Sequence, residues 1–129
     1  MPELVLVDTN VLIDFERGKR QAGECLDEIE RRSRLAVSAM TQMEMIVGCR
    51  NKSDLRVLQI SLHRFEVIPI SPVITTEATD ILQQYNLSHG LLIADALIAA
   101  TALTLQAPLL TANRRDFDFI EGLSLSSYP

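Results

Sequence analysis

Apolar residues in this chain fall into short continuous runs separated by longer, helically spaced stretches. Leu4-Val5-Leu6-Val7 is a four-residue run that ends at Asp8. A strand buried on both faces reads this way, and such strands belong to parallel sheets. Asp8-Thr9-Asn10 offers capping side chains for a short helix through Val11-Leu12-Ile13-Asp14-Phe15, ended by Gly18. Ala22, Cys25, Leu26 and Ile29 recur at helical spacing among acids, which predicts an amphipathic helix over 21–32. A brief strand over 35–37 follows. Ser38 or Thr41 can cap the next helix, which stops at Gly48. Asn51 to Ser53 is a capped turn before a helix through Leu55, Leu58 and Leu62. Residues 65–70 read as a strand. Pro72 suits the first turn of a helix reaching about Tyr85, with a loop over 86–90. Leu92 to Leu105 is helical and apolar nearly all round. Strands are expected at 108–111 and 123–125. Alternating strands and helices predict one domain over 1–129, an α/β fold, with helices packed around a central, mainly parallel sheet. Ligands of such sheets gather beyond the carboxyl ends of the strands, where Asp8, Thr111 and Asn113 lie.

Composition narrows the chemistry. The chain has 129 residues, 47% hydrophobic and 22% charged, enough to bury a core without disulfides or metal. Two cysteines and two histidines exclude a disulfide scaffold and a cysteine-rich zinc site. Free thiols suit a reducing cytoplasm. The Met1-Pro2-Glu3 start lacks the basic region of a signal peptide, and the uncharged stretch 96–113 holds Pro108, Gln106 and three threonines, so no membrane span is expected. Seventeen acids against twelve bases argue against a dedicated nucleic-acid coat protein. They leave room for an enzyme that meets phosphates through a metal.

Single acids inside apolar segments carry most of the information. Asp95 is the only charged residue between His89 and Arg114, and Glu44 the only one between Arg34 and Arg50. Asp8 directly follows the first strand. A lone carboxylate in a dry core costs several kcal/mol unless it is paired, protonated or bound to a cation. Each acid has a plain alternative: Asp8 can cap a helix, Asp95 can favour a helix N-terminus, and Glu44 can face solvent. Together, three acids on three elements with no nearby base predict convergence around a cation. Carboxylates without His or Cys select a hard ion, Mg²⁺ or Mn²⁺. Such an ion with an open side is the apparatus of phosphodiester hydrolysis. Thr111-Ala112-Asn113-Arg114-Arg115-Asp116-Phe117-Asp118 follows a strand end and supplies a fourth acid, either Asp116 or Asp118. Thr111 and Asn113 can orient a carboxylate or a water, or serve as ordinary turn residues. Arg114 and Arg115 can hold a phosphate or be plain surface charge.

The segment Leu6 to Asp14 resembles the opening motif of PIN-domain ribonucleases. Thr41 to Gly48, with Glu44, resembles their second motif, although Met45 stands where Leu is common. His89-Gly90 with Ala94 to Ala102 resembles the third, and Leu110 to Asn113 with Asp116-Phe117 the fourth. The four occur in order over nearly the whole chain, whose short length is similar to that of VapC-like toxins of toxin–antitoxin modules. The resemblance implies a three-layer α/β/α sandwich and an Mg²⁺- or Mn²⁺-dependent endoribonuclease. Asp8, Glu44, Asp95 and Asp116 would be catalytic metal ligands, with Asp118 the competitor for the fourth place. Thr9, Asn10, Thr111 and Asn113 would be supporting polar residues. It also implies a homodimer and a small VapB-like antitoxin whose C-terminal segment covers the site, with DNA bound only through the antitoxin.

The expected reaction is hydrolysis of RNA, leaving a 5′-phosphate and a 3′-hydroxyl. Nothing in the placement of the histidines suggests a route through the 2′-hydroxyl. Two alternatives belong to other classes. A phosphoacceptor receiver-like Mg²⁺-binding domain wants adjacent acids after the first strand and a lysine after the last, and this chain has no lysine beyond Lys52. A non-catalytic PIN-fold binding module would keep the fold without turnover. His63 is expected on the surface of a helix, His89 in a loop that it orders or from which it touches substrate, and Tyr85 and Phe15 in the core or an interface. Arg31, Arg32 and Arg34 are expected to be a solvated helix end.

Overall fold

The computed structural model describes residues 3–129; the Met1-Pro2 start read above lies outside the described residues. Five strands form one sheet: β1 (Glu3–Val7), β2 (Ser33–Ser38), β3 (Glu66–Ile68), β4 (Leu109–Leu110) and β5 (Leu125–Ser126). Their order is β3-β2-β1-β4-β5, and every neighbouring pair is parallel. Six helices complete the chain: α1 (Thr9–Glu16), α2 (Arg20–Glu30), α3 (Ala39–Val47), α4 (Lys52–Ser61), α5 (Pro72–His89) and α6 (Ile93–Leu105).

Period-two alternation along the strands sorts the core into two layers. Leu6, Ala36 and Leu109 face α5 and α6, where Ile81, Tyr85 and Ile98 are buried together with Phe117 from the segment after β4. Val5, Val7, Leu35, Val37 and Leu110 face the other way, onto Val11, Leu12, Leu26, Ile29 and Leu58 of α1, α2 and α4. The continuous apolar run of β1 is thus accounted for, because both its faces are covered. Buried alanines at 96, 99, 100 and 102 make α6 slim enough to lie against both α5 and the sheet. The lone hydroxyl in that run, Thr101, donates to the Leu97 carbonyl at 2.7 Å.

β1 lies between β2 and β4. In a receiver-like fold of the flavodoxin type the first strand lies between the second and third. The receiver alternative therefore fails on topology. Because all strands run one way, Val7, Ser38, Ile68, Leu110 and Ser126 end on a common edge. The N-terminus of α6 reaches that edge too, since α6 runs back toward the start of β4.

Strand bounds differ from the expected ones by a residue or two, as at β2 and β3, and three further differences have a physical reason. The expected loop over 86–90 is helical as far as His89, because no residue before Gly90 breaks the pattern; Gly90 closes α5 at φ 71°. Asn86 also uses its side-chain amide to hold the Leu91 carbonyl at 3.0 Å. The last strand is Leu125–Ser126 rather than 123–125, since Gly122 and the following turn delay its pairing with β4. Arg34 is not part of a solvated helix end: it stands on β2 and pairs with Glu66 of β3.

Candidate active site

Asp8 stands immediately beyond β1 and is only 3% exposed. It does two things at once. Its Oδ1 accepts the Thr9 backbone N–H at 2.8 Å, which makes it the N-cap of α1. Its Oδ2 accepts the Thr111 hydroxyl at 2.7 Å, from beyond the neighbouring strand β4. Thr111 in turn accepts the Asn113 backbone N–H at 2.9 Å. The hydroxyl proton is thereby committed to Asp8. Asn113 contributes its backbone N–H to this relay.

A second relay holds Glu44. Thr9 donates its hydroxyl proton to Glu44 Oε1 at 2.7 Å. Thr9 Oγ1 also lies 2.9 Å from Thr41 Oγ1. A hydroxyl has one proton, so Thr41 must be the donor to Thr9. Thr41 is fully buried. Ser38, not Thr41, caps α3, through the Met40 N–H at 3.0 Å. The sequence marks Thr41 as a capping candidate and as the start of the second motif, but does not reveal it as a positioning residue. The available signal was a hydroxyl spaced three positions before Glu44 on a helix with no other charged residue.

Asp95 lies in the first turn of α6, partly buried. Its carboxyl is pushed up to about 6, first by burial and then by the negative fields of Asp8, Asp116 and Glu44. Asp8 is likewise raised by burial, against the pull of the Thr111 and Thr9 hydrogen bonds, with Glu44 and Asp116 adding repulsion. These mutual influences bring Asp8, Glu44, Asp95 and Asp116 into one electrostatic neighbourhood. Asp116 is exposed at the end of the short 3₁₀ turn Arg114–Asp116. Asp118 is also exposed but contributes to the shift of neither buried carboxyl. Asn10 is exposed on the first turn of α1 and takes no part in either relay. Among the described residues, no group of three or more His, Cys, Asp or Glu side chains is drawn together closely enough to hold a metal ion. The donor set is nonetheless all oxygen and mutually repulsive, which fits a hard divalent cation and no soft one.

Fold and site together define the class. The PIN domain family matches this chain over residues 5–122, and the chain belongs to that family. Its relatives narrow the comparison. It is 35% identical to ribonuclease VapC10 of Mycobacterium tuberculosis, over 93% of this chain and 90% of that protein. It is similar in structure to a toxin–antitoxin complex from Klebsiella pneumoniae, with TM-score 0.79 and 32% identity, covering 97% of this chain and 99% of the other. VapBC2 from Rickettsia felis, bound to a fragment of promoter DNA, superposes with TM-score 0.85 at 25% identity, covering 98% and 99%.

Proposed function

We propose that this chain is a metal-dependent endoribonuclease and the toxin of a toxin–antitoxin pair. The observation that carries the reading is that Asp8, Glu44, Asp95 and Asp116, from four separate elements, lie within one another's electrostatic reach at one sheet edge with no base among them, and that burial with this repulsion pushes Asp95 up to about 6. Asp8, Glu44, Asp95 and Asp116 would hold Mg²⁺ or Mn²⁺. Such an ion supplies an acidified water and compensates charge on the phosphate. The chain's own residues prepare that chemistry. Thr111 and the Thr9 N–H fix both oxygens of Asp8, and the Thr41–Thr9 relay fixes one oxygen of Glu44. Arg114 and Arg115, exposed beside Asp116, are placed to attract a phosphate.

The relatives include a ribonuclease, a toxin–antitoxin complex and a VapBC complex bound to promoter DNA, which supports a VapB-like antitoxin partner here, with DNA reached only through it. An antitoxin segment would approach Glu44 along the groove of about 590 Å³ between α1, α3 and α4, lined by Ile13, Arg17, Met45, Arg50 and Val57. A second copy of this chain would cover the exposed apolar side chains Met43, Ile46 and Val47 on α3 and Leu92 and Ile93 at the start of α6. Among the described residues no helix is long and apolar enough to cross a membrane.

The deciding experiment incubates the purified chain with total RNA in EDTA, Mg²⁺ or Mn²⁺, beside Asp8→Asn. Metal-dependent cuts bearing 5′-phosphates, absent from the variant, are expected. Undiminished cleavage in EDTA overturns the reading, and no cleavage with either ion would favour the non-catalytic module. Replacing the 2′-hydroxyl at a mapped cut should leave cleavage in place if RNA binding is kept.

A further inference from the structure

We infer that the imidazole of His89 is a stacking platform for an unpaired RNA base next to the cleaved phosphate, an inference that rests on the ribonuclease reading. Three aromatic rings meet where α5 turns into α6. His89 stacks on Phe119 with centroids 4.1 Å apart and planes 10° from parallel. Tyr85 meets Phe119 edge-on at 5.2 Å and His89 at 5.8 Å. The triangle of these distances is acute at every corner, so Tyr85 lies on the Phe119 side of the imidazole. Neither ring covers its opposite face, and His89 is exposed. The platform is braced from behind. Tyr85 is buried and accepts the Glu121 N–H on its hydroxyl at 3.2 Å, and Ser88 Oγ lies 2.8 Å from His89 Nδ1. A ring held this way loses little freedom when a base lands on it.

Its place in the fold supplies the rest. His89 and Gly90 lead directly into the helix that carries Asp95, and Phe119 closes the segment that carries Arg114, Arg115 and Asp116. One short segment therefore offers cations for a phosphate, an acid for the crevice and the support of a base-sized flat surface. Stacking of this kind tolerates any base and favours single strands.

The test uses a short oligoribonucleotide spanning a cut mapped on total RNA, with 2-aminopurine beside the cut. His89→Gln should raise KM about tenfold with kcat within about twofold, and His89→Phe should stay within about threefold of the parent in both. In EDTA, 2-aminopurine fluorescence should be quenched by the parent and by His89→Phe but not by His89→Gln. Unchanged KM in His89→Gln, or no quenching by the parent, overturns the platform while leaving the nuclease intact. So does a KM change that tracks a shift in oligomeric state by sedimentation, since the pair would then serve an interface. If the parent cuts nothing, it is the ribonuclease reading that fails.

Discussion

The two ends of the sheet are both crowded with charge, and they settle it in opposite ways. At the amino edge a cavity of about 810 Å³ is lined by Glu30, Arg34, Arg64 and Glu66 among others. There acids and bases neutralise one another: Arg34 with Glu66 at 2.9 Å, and Arg64 with Asp27 and Glu30 at 2.8 and 3.0 Å. At the carboxyl edge Asp8 and Glu44 receive hydrogen bonds only from hydroxyls and a backbone N–H. A hydroxyl orients a carboxylate without cancelling its charge. The charges of Arg34, Arg64 and Glu66 at the amino edge are thus paired within the chain, while the acids of the carboxyl edge are oriented but not neutralised.

The strongest test of that contrast removes one acid from the crevice. Asp95→Asn and Asp8→Asn should each lower cleavage about 10³-fold or more. Asp95→Asn should also stabilise the metal-free fold at neutral pH, because it relieves a carboxyl whose folded pKa, about 6, stands above its ordinary value of 3.8. Discounted for the partial exposure of Asp95, the gain is about 1 kcal/mol, or about 4 °C in Tm. The sign follows from linkage. An acid raised on folding binds its proton more tightly in the native state, so ionising it costs stability. The variant's advantage is therefore full above about pH 7, shrinks as pH falls through about 6 and vanishes near the ordinary value. Saturating Mg²⁺ should reverse the order, making the parent the more stable. Thermal melts across pH, with EDTA and with Mg²⁺, read both effects. An Asn variant no more stable than the parent at pH 7.5 in EDTA would show that the acids do not strain one another.

Next in size are the hydroxyls that aim the acids. Thr111→Val and Thr9→Val should each reduce kcat by about 10- to 100-fold, since supporting shells of metal ligands carry effects of that order. Thr41→Val should fall at the lower end of that range, because Thr9 keeps its own proton for Glu44 when its donor is lost. A Thr111→Val enzyme with unchanged kcat would mean that capping α1 is enough to position Asp8.

How much of this was readable beforehand follows from what each residue interacts with. Asp8, Glu44 and Asp95 stood out because a charge inside an apolar run is conspicuous without knowing the fold. The parallel sheet was readable for a similar reason, since β1 is apolar at consecutive positions. Thr41 was not, because its role depends on a partner 32 positions away on α1, and a threonine near a helix start looks like a cap. His89 was read as a loop residue, since its ring gains meaning only against Phe119, which the chain brings back after α6 and β4. The pairing of Arg34 with Glu66 likewise depends on strand register.

A smaller effect separates the two candidates for the fourth acid. Asp116 influences both Asp8 and Asp95, whereas Asp118 influences neither. Asp116→Asn should lower cleavage about tenfold and weaken Mg²⁺ dependence at low ion concentration, because an exposed acid at the crevice mouth contributes less than a buried one. Asp118→Asn should stay within about twofold. The reverse ranking, measured under the same metal titration, would move the fourth ligand two residues along the chain.

The smallest effects belong to the opposite end, and they show whether its charges are as self-contained as they look. Arg34 and Glu66 are each about half exposed, with side-chain accessibilities of 49%. Arg34→Ala should therefore cost less than about 1 kcal/mol and leave cleavage unchanged. Arg64 is less exposed, at 23%, spans two acids and lies 5.4 Å over the Phe15 ring. Arg64→Ala should cost about 1–2 kcal/mol, part of it lost packing against Phe15. High salt should narrow the difference between parent and Arg34→Ala while leaving most of the Arg64→Ala deficit, since screening acts on the exposed pair and not on the ring contact. Urea melts at low and high salt, run beside a cleavage assay, measure both. A loss of cleavage in either variant without a matching loss of stability would show that the amino edge takes part in RNA binding, and its charges could no longer be regarded as fully spent on one another.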